Sequence, residues 1–126
     1  MPVAKIIIYL CGIYSLGFAI FHIFFWKLFN WKNDLKKLSI VNRGIIQILN
    51  VCLMYFFLII AILCFIHTDE LIKTALGKSF LIAVSFFLLL RTIQQFIFLK
   101  IYNRTVYLLT IIFIIGAILF AVPVFL

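Results

Sequence analysis

Residues 45–66 read IIQILNVCLMYFFLIIAILCFI, 22 positions without one charged side chain. A helix rises 1.5 Å per residue, and ~20 apolar residues are enough to cross the hydrocarbon core of a bilayer. Three further runs have the same reach: Ile6–Trp26, Ser79–Leu99 and Val106–Leu126, each of 21 residues. Hydrophobic residues make up 68% of the 126 positions. Soluble domains carry roughly 45–50%, and a water-soluble fold of this size has no means of covering so much apolar surface. The expected fold is all-α, a transmembrane four-helix bundle forming a single integral membrane domain over residues 1–126, with spans at about 6–26, 45–66, 79–99 and 106–126. The first run exceeds the apolar core of a signal peptide, and its strongest positive charge follows it, so it is expected to be a retained helix.

The net charge of +8 is sorted by side and is no nucleic-acid signal. Lys27, Lys32, Lys36, Lys37 and Arg43 follow the first run, and Lys100 and Arg104 follow the third. The opposite ends carry Lys5, Lys73 and Lys78, with Asp69 and Glu70 beside them. Seven basic residues against three place the first and third connections in the cytoplasm and both termini outside. Trp26, Trp31, Tyr102 and Tyr107 then fall at the cytoplasmic boundary, where amphipathic rings anchor. Cys11, Cys52 and Cys64 all lie within spans, and no C-x-x-C pair exists, which argues against a membrane thiol oxidoreductase.

Between the first two spans, Leu28, Trp31, Leu35 and Leu38 repeat at helical spacing, with Lys32, Lys36 and Lys37 elsewhere on the wheel. The pattern predicts a short interfacial amphipathic helix against anionic headgroups, then Ser39 as N-cap of the second span. The segment HTDELIKTALGKSF, from His67, predicts a short helix capped by Thr68, favoured by Asp69 and Glu70, and ended by Gly77. Gly77-Lys78-Ser79 is not a phosphate loop, because Ile72 stands where its first glycine belongs. Residues 24–30 (FFWKLFN) align with 97–103 (IFLKIYN), which would relate two helical hairpins in parallel.

Polar residues inside spans are costly and mark either packing or function. Cys11, Ser15 and His22 fall within a ~40° arc of the first span, and Trp26 extends that face. Arg43, Gln47 and Asn50 form a stripe on the second span, and Arg91, Gln94 and Gln95 share a face of the third. The fourth offers Thr105 and Thr110. By helical rise, His22 and Gln95 lie roughly 6 Å inside the cytoplasmic boundary, Asn50 about 8 Å and Arg91 about 12 Å. A polar pocket in the cytoplasmic leaflet is expected.

Arg91 is the most informative of these residues. A mid-span arginine costs ~2.5–3.5 kcal/mol on insertion scales unless sheltered. Asp34, Asp69 and Glu70 are all in connections, so no carboxylate can neutralise it at depth. Its options are side-chain amides, backbone carbonyls, snorkelling or an external anion. His22 is a candidate structural hydrogen-bonder or base. No second metal-ligating residue stands at ligand spacing in its leaflet, and His67 lies at the far end of the second span, so neither a metal nor a haem is expected.

The pattern H-x-x-F-W-K-L-F-x-W, then L-S-x-x-N-R, Q-x-L-N and R-x-x-x-Q resembles a group of small four-span bacterial membrane proteins. Here it is carried by His22, Trp26, Trp31, Ser39, Asn42, Arg43, Gln47, Asn50, Arg91 and Gln95. The resemblance implies the fold and a bacterial inner-membrane location, and supplies no activity. Small four-helix multidrug exporters are similar in length and span number, but depend on a glutamate in the first span. This chain has none there. The expected function is binding or transfer of an anionic lipid-like ligand, with Arg91, Arg43, His22, Gln47, Asn50 and Gln95 as the candidate site. Trp26, Trp31, Lys32, Lys36 and Lys37 face the membrane interface, and membrane lipid is the partner. The alternative is a structural or accessory subunit meeting a membrane-protein partner or a second copy. A lipid-modifying enzyme with His22 as base stands behind both. Neither cofactor nor nucleic acid is expected.

Overall fold

A computed structural model describes residues 2–126, with side chains from Val3 onward. Every regular element among them is helical. In chain order these are α1 (Pro2–Ile23), α2 (Phe25–Leu28), α3 (Trp31–Asp34), a 3-10 turn (Leu35–Lys37), α4 (Ile40–Ile66), α5 (Thr68–Lys73), α6 (Ala75–Phe98) and α7 (Arg104–Phe125). By length and composition, α1, α4, α6 and α7 are sufficient to cross a membrane. Only 28% to 39% of the most apolar stretch of each is buried. Large apolar side chains remain uncovered, with Ile40, Leu76, Phe98 and Phe125 more than 80% exposed. A soluble monomer rarely leaves such surface contiguous.

The caps explain why α4, α6 and α7 begin before the apolar runs do. Ser39 Oγ accepts from the Asn42 amide at 3.2 Å, as its N-cap position predicts. Thr74 Oγ accepts from Gly77 N at 2.9 Å, and Asn103 Oδ1 from Val106 N at 2.9 Å. An apolar window finds where a helix is greasy, whereas the cap decides where its hydrogen-bond ladder starts.

The chain divides into two compact units. The first, Gly12–Leu63, pairs the rest of α1 with most of α4. Phe18 stacks on Phe57 at 5.3 Å between ring centroids, and Asn50 reaches across to the backbone of His22. We call it the α1–α4 unit.

The second unit takes the beginning of α1 up to Cys11 together with Cys64–Leu126. We call it the α6–α7 unit, after its main helix pair. Ser85 Oγ donates to the Ala117 carbonyl at 2.6 Å, Arg91 lies over Phe113, and Gln95 meets Thr110. Ascending residues on α6 thus meet descending residues on α7, which is an antiparallel register. Leu81, Leu88 and Phe120 are fully buried. Pro123 sits inside α7 and has no amide to give the carbonyl four residues back. That carbonyl belongs to Leu119, and Cys11 Sγ approaches it at 3.4 Å as a weak donor.

The segment after α4 differs from its sequence-based expectation. Thr68 is the first residue of α5 rather than its cap, and its hydroxyl donates back to the Cys64 carbonyl at 2.5 Å. Gly77 does not end α5. It lies in the first turn of α6, where a Cβ would overlap the Glu70 carbonyl oxygen and Leu71 Cα. Glycine is needed here for close approach between consecutive helices, not for an unusual backbone angle.

Candidate functional site

The candidate residues separate into two groups, one in each unit. In the α1–α4 unit, His22 is buried with Ser15, on the α1 face expected from their spacing. His22 Nδ1 lies 2.6 Å from the Phe18 carbonyl, which fixes the proton on Nδ1. The ring is surrounded by aromatics. Phe25 stacks on it at 4.5 Å, Phe57 lies at 5.5 Å, and Phe21 meets it edge-on at 5.9 Å. Such a box holds the imidazole in a fixed orientation. Asn50 Nδ2 donates to the His22 carbonyl at 2.9 Å. That carbonyl is among the last four of α1, which end without helical amides to receive them.

Below this box, hydrogen bonds run in series. Trp26 Nε1 donates to Gln47 Oε1 at 2.9 Å, and Gln47 Nε2 donates to the Arg43 carbonyl at 3.1 Å. Arg43 in turn donates from Nε to the Leu35 carbonyl at 2.8 Å, and from Nη2 to the carbonyls of Leu38 at 3.2 Å and Lys36 at 3.3 Å. The guanidinium therefore clamps the connection onto the start of α4. Charge-assisted bonds of this type are each worth ~1.5–3 kcal/mol when sheltered.

The connection is not one continuous interfacial helix. Asn30 adopts φ 53°, in the left-handed region, and separates α2 from α3. Asparagine tolerates that conformation better than most residues. The reversal folds Trp31 back against Trp26 at 5.5 Å and Phe25 at 5.7 Å, and buries Leu35. Leu28, before the break, is 57% exposed. Lys27, Lys32, Lys36 and Lys37 remain exposed, so the basic edge survives the break. The aligned asparagines of the suggested repeat do different work: Asn30 turns the chain, whereas Asn103 caps α7.

In the α6–α7 unit, Arg91 lies about two turns inside the end of α6 with its guanidinium carbon 4.9 Å from the centre of the Phe113 ring. Among the described residues it has neither a hydrogen bond nor an ion pair. The ion pairs there are Lys5–Asp69 at 3.4 Å and Lys37–Asp34 at 3.8 Å, while His67 Nδ1 lies 3.1 Å from Glu70 Oε1. One turn later Gln95 is 1% exposed. Its Nε2 donates to the Val106 carbonyl at 3.1 Å and Thr110 Oγ1 at 2.7 Å. Gln94, which shares their face by spacing, is exposed instead. Phe113 escapes a search for polar residues, and only the α6–α7 register brings it to Arg91.

The sequence also gave no warning of a cleft of about 200 Å³ lined by Lys5, Tyr9, His67, Asp69 and Glu70. Lys5 and Asp69 pair there at largely exposed positions, where such pairs contribute ~0–1 kcal/mol.

No protein-family model, curated protein or solved structure matches the chain, so each role assigned below rests on its own residues.

Proposed function

We propose that the chain is a multi-pass protein of a bacterial inner membrane, a transmembrane four-helix bundle with both termini outside, that binds an anionic lipid-like molecule at Arg91. The observation carrying this reading is the environment of that guanidinium: a phenyl ring on one face and, among the described residues, no carboxylate and no hydrogen-bond acceptor of its own. A cation–π contact contributes ~0.5–2 kcal/mol. That falls short of the ~2.5–3.5 kcal/mol cost of an arginine at mid-span. An anionic group supplying two acceptors would close the gap, and an alkyl chain suits the exposed apolar helix faces around it.

Native mass spectrometry of the purified protein beside Arg91→Met tests the reading. The expected result is an amphiphile bound to the natural chain and missing from the variant, with both folded. Bare protein in both would overturn it.

A second reading, a structural or accessory subunit, is favoured by the α1–α4 unit. There Arg43, Gln47, Trp26 and Asn50 all hold the fold's own groups. Recovery of the chain in a larger complex from gently solubilised membranes would support it. A base at His22 has less behind it, since Nδ1 is tied to α1 and the ring is packed among phenylalanines.

A further inference from the structure

Gln95 narrows the chemistry of that ligand. Both hydrogens of its amide are engaged, toward Val106 and Thr110. The Thr110 hydroxyl donates its own hydrogen to the Val106 carbonyl at 2.9 Å, so toward Gln95 it can only accept. Turning the amide over would set Oε1 against the Val106 carbonyl oxygen, acceptor against acceptor, and the assigned orientation is therefore required. Among the described residues, Oε1 is left buried without a partner. Buried carbonyls are ordinarily satisfied, and the demand is stricter where water is scarce.

Arg91 and Gln95 stand one turn apart on α6, in neighbouring layers of the same seam with α7. One turn rises about 5.4 Å. An anion that accepts from a guanidinium and also donates an O–H can bridge that distance through two ordinary hydrogen bonds.

We infer that the ligand held at Arg91 carries its own donor beside its charge, an alkyl phosphate monoester in its singly protonated form. Its charged oxygens lie on Arg91 and its P–OH donates to Gln95 Oε1. A phosphodiester of equal charge lacks that hydrogen. This inference rests on the anion reading of Arg91, and the experiment separates the two.

Decyl phosphate and decyl methyl phosphate are titrated against the purified full chain in neutral detergent at pH 5.5. Both are then mainly singly charged, since the second ionisation of a phosphate monoester falls near pH 6. The expected result is tighter binding of the monoester by about tenfold, the scale of one buried hydrogen bond. Gln95→Leu should bring the two affinities together, and Arg91→Met should abolish both. Equal binding of the two probes by the natural chain, with loss of both in Arg91→Met, would overturn the donor and leave the anion reading standing. Binding of neither probe would overturn both. A preference persisting in Gln95→Leu would overturn the assignment to Gln95. The comparison in the natural chain needs no variant, so it decides for or against the donor even where Gln95→Leu does not fold.

Discussion

Arg43 and Arg91 stand in different units, and their surroundings are opposite. Arg43 donates to three backbone carbonyls, of Leu35, Lys36 and Leu38. Arg91 has the face of Phe113. The difference comes from where each lies along its helix. Arg43 is in the first turn of α4, beside a chain reversal whose carbonyls lie within reach of its guanidinium, that of Leu35 accepting from Leu38 N as well, at 3.2 Å. Arg91 is about two turns inside the end of α6, where the carbonyls of the helix are occupied by its own amides. The cation in the first turn is thus satisfied by backbone carbonyls, whereas the one within the helix body meets an aromatic face.

The comparison is broken most directly at Arg43. Arg43→Met removes three hydrogen bonds and frees the connection from Phe29 to Leu38. A stability loss of about 3 kcal/mol is expected, since part of the freed carbonyl surface regains water. Thermal unfolding in detergent measures the loss, and faster proteolysis confined to residues 27–39 would locate it. An unchanged melting point with an intact connection would mean that the clamp contributes nothing, and the contrast between the two arginines would disappear.

A smaller effect is expected at Asn50, which serves the end of α1 as Arg43 serves the connection. Asn50→Leu keeps the volume but leaves the His22 carbonyl without its donor. It also removes the buried Oδ1, which lacks a partner among the described residues. The two consequences oppose each other, and a net loss of about 1 kcal/mol is expected. A gain in stability would show that the unsatisfied oxygen outweighs the bond made by Nδ2.

These residues also mark how far the sequence could be read. Four long helices were legible because hydrophobic length is additive along the chain and needs no knowledge of neighbours. Ser39 as a cap was legible for the same local reason. The break at Asn30 was not, because a helical wheel places Leu28, Trp31, Leu35 and Leu38 on one face whether or not a residue between them is left-handed. Thr68 looked like a cap because its side chain suits that position, but its hydroxyl found the nearer carbonyl of Cys64. Arg91 could be singled out from charge and depth alone. Its partner Phe113 and the orphaned oxygen of Gln95 depend on the register between α6 and α7, which no local pattern encodes.

The smallest stability effect is expected at Arg91 itself, and it sharpens the contrast with Arg43. Arg91→Met keeps the length of the aliphatic stem, and methionine sulfur packs well against an aromatic ring. What is lost is a cation–π contact of ~0.5–2 kcal/mol, and what is relieved is the partial burial of a charge with no acceptor among the described residues. The two nearly cancel, so unfolding of the ligand-free variant should fall within about 1 kcal/mol of the natural chain. A loss as large as that of Arg43→Met would make Arg91 a structural clamp whose acceptors lie elsewhere in the molecule. A near-neutral change, together with loss of the bound amphiphile, would separate binding from folding at a single residue. That separation distinguishes a site from a strut.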